Sequence, residues 1–174
     1  MNAPFPISPV EKLTILHQVS GFKCGHNSLD HFLRKYALAN SSNDLAQTYV
    51  VHREQVVLGY YTLVYGTISL DEAATEIVEG ITSPYPVPVM LLARWAVDKN
   101  QQRQGIGKAL LKDAFLRTEQ AADIGGLRAM LVDAIDDRMA QYYRNLGFSV
   151  CPNDLRKLMM PIRAIRASLP PLNP

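Results

Sequence analysis

The chain has 174 residues, of which 48% are hydrophobic and 20% charged, a balance typical of one folded domain over 1–174 and not of a disordered protein. Its net charge of +2 is too small to indicate a nucleic-acid partner by itself, although it allows a local basic patch. The two cysteines are far apart in the sequence, which predicts free thiols and no zinc site. All apolar runs are shorter than the ~20 residues of a membrane span, which predicts no membrane contact and a cytoplasmic protein.

The first part of the chain predicts a strand, a helix and a hairpin. KLTILHQ (12–18) is interpreted as the first strand. Apolar residues at helical spacing predict a helix over 27–39, with Asn27 as its N-cap and Asp30 in its first turn. Two runs rich in Val, Tyr and Thr around a polar HREQ predict a β-hairpin over 47–70.

The middle of the chain predicts a buried strand followed by a long helix. The acidic stretch 71–79 is interpreted as an exposed helix or loop, which could also meet a basic partner. Prolines before Val89 place the start of the next strand near that residue. A helix is predicted over 103–126, ended by its paired glycines. Its inward face is expected to hold Ile106, Ala109, Leu110 and Ala114.

The last part predicts three further strands and one helix. A short buried strand is expected over 128–135, and a helix over 136–147 that is capped by Asp136 and stopped by Gly147. Strands are expected over 148–151 and 157–164, while 1–9 and 167–174 are expected to be loose. The order of elements predicts a mixed α/β sheet covered by helices.

The junction QQRQGIGKAL (101–110) lies between the central strand and the long helix. A glycine-rich turn at a helix N-terminus presents backbone N–H groups to an anion, and a Cβ at Gly105 or Gly107 is expected to obstruct a phosphate. It is not a P-loop, because Lys108 is followed by Ala109 instead of Ser or Thr. Only one half of the dinucleotide fingerprint G-x-G-x-x-G is present.

The junction does fit Q-x-x-G-x-G, which resembles the pyrophosphate-binding turn of the GNAT superfamily of N-acetyltransferases. FKCGHNSLDHFLRKYA, PYPVPVMLLARWAVDKNQQRQGIGKALLKDAFLR and AQYYRNLGF resemble successive blocks of one branch, the acetyltransferase toxins of type II toxin–antitoxin modules. The resemblance runs from about residue 21 to 148. It implies the GNAT fold, a central mixed and mostly antiparallel sheet of six to seven strands flanked by about four helices.

The resemblance also implies a binding site for acetyl-CoA. The backbone of Trp95, Ala96 and Val97 is expected to pair with the pantetheine arm, as an added strand would. The pyrophosphate is expected to bind the backbone of the turn, which comprises Gln102, Arg103, Gln104, Gly105, Ile106, Gly107 and Lys108. No metal is implied.

Tyr143 is the candidate catalytic residue. It lies in a helical face with Met139 and Leu146, so a purely structural role is open from spacing alone. In the resembling enzymes, the tyrosine of the pattern aromatic, Tyr, three residues, Gly, Phe protonates the departing thiolate of coenzyme A. A phenol with a pKa of about 10 can donate a proton to a thiolate whose pKa is about 8.5. Tyr142 is expected to be structural.

A general base is not evident in the central strand. The segment 87–97 contains no carboxylate, and Asp98 at its end is interpreted as a possible turn cap. An α-amine, with a pKa of about 7.7 to 8.0, is partly neutral at pH 7, whereas a lysine amine at about 10.4 is not. The resembling toxins acetylate the α-amine of aminoacyl-tRNA, and this suits a site without a strong base.

An RNA substrate implies cationic contacts, for which Arg94, Arg34, Lys35 and Arg163 are the candidates. Arg94 lies inside an apolar run and needs a partner or a phosphate, so it is expected to face substrate or antitoxin. The resemblance further implies a ribbon-helix-helix antitoxin and a homodimer. Two alternatives stay open: a GNAT enzyme acting on a small amine, peptide or protein lysine, and a non-catalytic acyl-CoA-binding module.

Overall fold

The fold is described from a computed structural model, for residues 5–170. Within that range the chain forms seven strands and six α-helices. The strands are β1 Glu11–Lys12, β2 Gln47–Arg53, β3 Val56–Ile68, β4 Val87–Val97, β5 Ala129–Asp133, β6 Ser149–Cys151 and β7 Asp154–Pro161. The helices are α1 Asn27–Lys35, α2 Ala37–Ser42, α3 Thr75–Val78, α4 Ile106–Ile124, α5 Asp137–Asn145 and α6 Ile162–Ser168.

The strands form one mixed sheet in the order β1-β2-β3-β4-β5-β7-β6. β4 and β5 are parallel, and β1–β2, β2–β3, β5–β7 and β6–β7 are antiparallel. The predicted mixed, mostly antiparallel sheet is therefore confirmed. The chain divides into two compact units. The first contains residues up to 64 and 93–114, and the second contains 65–92 and the residues from 115 onward. The prediction of a single domain stays a prediction.

In the first unit, α1 packs its apolar face on the β2–β3 hairpin. Leu33 and Val50 are fully buried there, and the Tyr60 hydroxyl donates a 2.8 Å hydrogen bond to the Leu29 carbonyl. The predicted hairpin is confirmed. The predicted Asn27 cap is wrong: His26 is the N-cap, without a side-chain hydrogen bond, and Asn27 is the first helical residue.

In the second unit, β5 and β7 form the core with α3 and the first half of β4. The fully buried residues include Ile77, Val89, Ala129 and Met159. The predicted cap of α5 is confirmed, because the Asp136 carboxylate accepts the Met139 N–H at 2.8 Å. Gly147, at φ +103°, ends that helix as predicted.

Three predicted strands differ from the structure. The first strand is only Glu11–Lys12, after which the chain turns. β4 begins at Val87 and contains Pro88, which the parallel neighbour tolerates because it uses the proline's carbonyl as an acceptor for the Arg128 N–H. The strand predicted over 157–164 ends at Pro161, and the chain continues as α6.

Burial and the chain ends bring further corrections. Ala109 is exposed, and Leu111 takes the inward position on α4. The part of 1–9 that is described is held in place: Ser8 exchanges two hydrogen bonds with His52, and the Phe5 carbonyl accepts from Arg53. Residues 1–4 and 171–174, also expected to be loose, lie outside the described residues.

Both cysteines are free thiols, as predicted, and the structure shows that both are buried. Burial raises the pKa of the Cys24 thiol to about 11 and also raises the pKa of Cys151. Neither thiol is therefore activated as a nucleophile at neutral pH. None of the helices in 5–170 is long and apolar enough to cross a membrane.

Candidate active site

The glycine-rich turn follows β4 and a short 3-10 helix, Lys99–Gln101, and leads into α4. The Gln102 side chain fixes its start, because the amide nitrogen Nε2 donates to the carbonyls of Cys24 and Val97, both at 3.0 Å. The Gln102 side chain thus connects the turn to the end of β4 and to Cys24 by hydrogen bonds. Sequence spacing indicated Gln102 as part of the turn but not this function.

Two residues of the turn have left-handed backbone conformations, Arg103 at φ +64° and Gly105 at φ +86°. Gly105 is exposed, and an added Cβ would meet no atom within 4 Å, so its backbone angle is what requires glycine. The first N–H groups of a helix have no intrahelical partners and lie at its positive end. Gln104 and Lys108 are exposed beside them, so the turn can receive an anion.

Gly107 lies beside Trp95 and Val97, and its expected contact with a phosphate stays a prediction. An added Cβ would lie 3.4 Å from Cζ2 of Trp95 and 3.6 Å from Cγ2 of Val97. The Trp95 indole N–H also donates a 3.2 Å hydrogen bond to the Gly107 carbonyl. An added Cβ would thus make only ordinary contacts, and it is the hydrogen bond from Trp95 that connects β4 to the first turn of α4.

Gly59 on β3 sets how closely α4 approaches the sheet. An added Cβ would lie 2.9 Å from Cδ1 of Leu110, 3.1 Å from Cγ2 of Ile106 and 3.3 Å from the Ala96 carbonyl oxygen. Ile106 and Ala96 are buried at this contact. The first turn of α4 is thereby held against the strand pair that carries Trp95 to Val97.

The predicted cationic residues are partly engaged by the protein itself. The Arg94 guanidinium lies 4.9 Å from the ring centroid of Phe32, and its NH1 donates to the Ala93 carbonyl at 2.7 Å. The Arg34 guanidinium donates to the Phe22 carbonyl at 3.1 Å. The remaining two are exposed, Lys35 at the end of α1 and Arg163 on α6 in the second unit.

Tyr143 lies on α5 in the second unit and is buried. Its ring makes edge contacts with Phe148, at 5.2 Å between centroids, and with Tyr142, at 6.1 Å. Burial is the main cause that raises the pKa of Tyr143 above its ordinary value of 10, and the neighbouring Tyr142 adds to it. The phenol is therefore protonated throughout the neutral range, as a proton donor must be.

Two carboxylates near the turn are occupied by hydrogen bonds. Asp98 accepts the Asn100 N–H on Oδ1 and the Lys23 N–H on Oδ2, each at 3.0 Å, so it caps the 3-10 helix. Asp113 on α4 accepts a short hydrogen bond from the Tyr61 hydroxyl. Nothing in the spacing of the sequence pointed to the pair formed by Tyr61 and Asp113.

Comparison with known proteins decides the family. The Acetyltransferase (GNAT) domain family matches residues 44–150, which include β2 to β5 and the turn. The chain belongs to the GNAT acetyltransferases. The predicted GNAT fold is confirmed by this match and by the solved structures that resemble the chain.

Relatives of this GNAT chain are similar over almost its whole length. It is 38% identical to the tRNA-acetylating toxin of Mycobacterium tuberculosis, over 92% of the chain and 95% of the toxin. AtaT complexed with acetyl-methionyl-tRNAfMet superposes with a TM-score of 0.84 at 26% identity, covering 93% and 98% of the two chains. AtaTR bound with acetyl-CoA gives a TM-score of 0.79 at 28% identity, covering 92% and 96%.

One cluster in the described part of this GNAT chain has residues of metal-ligand type. Oε1 of Glu11 lies 2.9 Å from Nε2 of His17 and 2.8 Å from Nε2 of His52. Each Nδ1 accepts a backbone N–H, from Thr14 and Gln55 respectively, so each neutral ring carries its proton on Nε2. A metal ion at Nε2 would require that proton on Nδ1, against a backbone N–H. The cluster fits hydrogen bonds better than a metal ion.

Proposed function

We propose that this protein is the acetyltransferase toxin of a type II toxin–antitoxin pair, and that it acetylates the α-amine of aminoacyl-tRNA and so blocks translation. The similarity to the tRNA-acetylating toxin over almost the whole chain carries this proposal. The turn and β4 support it, because they form the anion-binding arrangement that an acetyl-CoA-dependent enzyme needs. The site of action is the cytoplasm, where aminoacyl-tRNA is used.

The first unit is proposed to bind acetyl-CoA. Backbone N–H groups from Gln102 to Lys108 would hold the pyrophosphate, and the exposed Arg103 and Lys108 side chains add positive charge beside it. The end of β4, from Trp95 to Val97, would pair with the pantetheine arm. The left-handed Gly105 and the two hydrogen bonds of Gln102 support this assignment, because they define the path of the turn's backbone.

Acetyl transfer forms an N–C bond and breaks the C–S bond of the thioester. Tyr143 is proposed to give its hydroxyl proton to the departing thiolate and to regain a proton from solvent. Burial of the phenol is consistent with this role to the extent that it keeps the hydroxyl protonated at neutral pH, so that the proton is present when the thiolate departs. The amine loses its proton to water.

The acceptor is proposed to be an α-amine because the chain offers no side-chain base along β4. Asp98, the nearest carboxylate in sequence, has both oxygens occupied by backbone N–H groups. An ester-linked aminoacyl amine is expected to have a pKa below the ordinary α-amine value of about 7.7 to 8.0, and it needs little help to become neutral. A lysine amine, at about 10.4, would need much more.

The remaining partners are proposals of the same kind. Arg94, Arg34, Lys35 and Arg163 are proposed to contact tRNA phosphates, with Arg94 oriented by the Phe32 ring. A ribbon-helix-helix antitoxin is proposed to cover the active site and to bind operator DNA. The active form is proposed to be a homodimer.

The decisive experiment incubates the protein with labelled acetyl-CoA and total charged tRNA, and then identifies the acetylated aminoacyl species. Wild type should label aminoacyl-tRNA and arrest growth when expressed, while Tyr143→Phe should bind acetyl-CoA with unchanged affinity and do neither. Turnover on small amines, peptides or lysine without growth arrest would favour a GNAT enzyme of another kind. Tight binding of acetyl-CoA with no turnover would favour a binding module.

A further inference from the structure

The segment Phe22–Cys24 forms three hydrogen bonds with residues 98–102, the stretch that leads from β4 into the glycine-rich turn. The Lys23 N–H donates to Oδ2 of Asp98 at 3.0 Å, and the Lys23 carbonyl accepts the Lys99 N–H at 2.8 Å. The Cys24 carbonyl accepts from Nε2 of Gln102 at 3.0 Å. This segment, which we call the bridge, therefore supports the turn from residues about 75 positions earlier in the chain.

The other side of the bridge is held by α1. Oδ1 of Asp30 accepts the Cys24 N–H at 2.8 Å, and the Arg34 guanidinium donates to the Phe22 carbonyl at 3.1 Å. Asp30 is only 4% exposed, so its charge depends on such donors for compensation. The bridge is thus bound on one side by α1 and on the other by the turn.

The strongest of these bonds are charge-assisted. Both Asp30 and Asp98 direct a carboxylate oxygen at a bridge N–H, and hydrogen bonds to ionised groups are about twice as strong as neutral ones. Asp98 also caps the 3-10 helix through its second oxygen, so one side chain links the bridge to the turn. A change at either carboxylate should therefore move the same three residues.

We propose that Asp98 and Asp30 are positioning residues for acetyl-CoA binding, which hold the pyrophosphate turn through the bridge and thereby couple α1 to cofactor affinity. The proposal rests on the proposed function, in which this turn binds acetyl-CoA. Neither carboxylate takes part in proton transfer. Because α1 carries two of the residues proposed to meet tRNA, the bridge connects the acceptor side of the first unit to its cofactor side.

The substitution Asp98→Asn isolates the contact with the bridge. The asparagine oxygen can still cap Asn100, while its NH2 group would face the Lys23 N–H, donor against donor. Asp30→Asn removes the charge from the other contact, because only a neutral amide oxygen would remain to accept the Cys24 N–H. Asp123→Asn, an exposed carboxylate further along α4, is the matched control.

The test measures the acetyl-CoA Kd of the full chain by calorimetry for wild type, the control, both single variants and the double variant. We expect each single variant to raise Kd about tenfold, from the loss of one charge-assisted hydrogen bond. The Kd of the double variant should be no higher than that of the weaker-binding single variant, because both substitutions act through the bridge. An unchanged Kd in Asp98→Asn, or effects that multiply in the double variant, would overturn the proposal.

Kinetics separate positioning from catalysis. Asp98→Asn should raise KM for acetyl-CoA while kcat and the shape of its pH profile stay as in wild type. A general base would instead lose 10²- to 10⁴-fold in kcat with Kd unchanged, and that result would also overturn the proposal. If Asp30→Asn fails to fold, Asp98→Asn decides alone. A wild type that binds no acetyl-CoA would refute the proposed function, whereas equal binding by wild type and Asp98→Asn would refute only this inference.

Discussion

Gly59→Ala tests whether close packing of α4 on β3 holds the glycine-rich turn in place. The new Cβ would lie 2.9 Å from Cδ1 of Leu110, 3.1 Å from Cγ2 of Ile106 and 3.3 Å from the Ala96 carbonyl oxygen. The Leu110 methyl is the end of a flexible side chain and can rotate away. Cγ2 of Ile106 and the Ala96 oxygen cannot move away in this manner, because Ile106 is β-branched and the oxygen belongs to the backbone of β4.

The expected size of the effect follows from overpacking. An extra methyl group in a close-packed core costs about 1 to 3 kcal/mol. For a domain of about 150 to 250 residues, each kcal/mol lowers Tm by about 2 to 4 °C, so the expected loss is about 2 to 12 °C. Relief of the clash requires α4 to move outward with its first turn, and we therefore expect weaker acetyl-CoA binding as well.

Thermal unfolding followed by circular dichroism and acetyl-CoA calorimetry measure the two effects. Gly66→Ala on the same strand is the control, because its Cβ would meet only Cγ2 of Val89 at an ordinary 3.8 Å. Replacing Leu110 by Ala in the Gly59→Ala background should recover little, since Ile106 still blocks the space. A Gly59→Ala protein as stable as the Gly66→Ala control, with wild-type affinity, would refute the reasoning.

Three further predictions concern the turn, the histidine cluster and the buried phenol. Gly105→Ala should weaken acetyl-CoA binding in calorimetry more than Gly105→Asn, because φ +86° costs an alanine about 1 to 2 kcal/mol. Hydrogen bonds from His17 and then His52 lower the pKa of Glu11 from 4.5, so its contribution to stability is present above pH 4.5 and is lost as the pH falls through the lowered value. Glu11→Gln should thus be less stable than wild type in thermal unfolding at pH 6, and the difference should shrink as the pH falls through the lowered pKa of Glu11; a constant difference would contradict this. Because the pKa of Tyr143 is raised above 10, the tyrosinate absorbance of wild type and Tyr143→Phe should agree at pH 10 and differ only at higher pH.

The elements that the sequence predicts well are those with a strong local signal. α5 has an Asp cap and a terminal glycine within twelve residues, and the structure reproduces both; of its predicted apolar face, Tyr143 is buried but Leu146 is exposed. The hairpin of β2 and β3 and the helix α4 are similar cases. In each, the residues that decide the element are neighbours in the chain, so no tertiary information is needed.

The misplaced elements depend on partners that are distant in sequence. The apolar residues Ile15 and Leu16 predicted a strand, but they are exposed in a turn, since only Glu11 and Lys12 pair with β2. Pro88 argued against a strand, yet its carbonyl accepts the N–H of Arg128, the residue before β5. A pattern of single residues does not show which backbone group a neighbouring strand will use.

The same distinction applies to the candidate site. The turn from Gln102 to Lys108 was predicted from its glycines and its place before a helix, and the structure puts it there with Gly105 left-handed. Its support was not predicted, because Lys23 and Asp98 are separated by 75 positions and neither stands out in its local pattern. The roles of the turn, of β4 and of Tyr143 in binding and catalysis stay predictions.

The surroundings of the turn explain how it keeps one strained residue. Arg103 has φ +64°, a conformation that costs a non-glycine residue about 1 to 3 kcal/mol and is retained only when its surroundings determine it. Here those surroundings are the two hydrogen bonds of Gln102 on one side and the contact between Trp95 and Gly107 on the other. Because these contacts restrict the backbone of the turn, they reduce the ordering that an anion must impose when it binds, and more of the interaction contributes to affinity. Loss of the Gln102 hydrogen bonds or of the contact between Trp95 and Gly107 should therefore weaken the binding of acetyl-CoA, even when no group that touches the phosphates has changed.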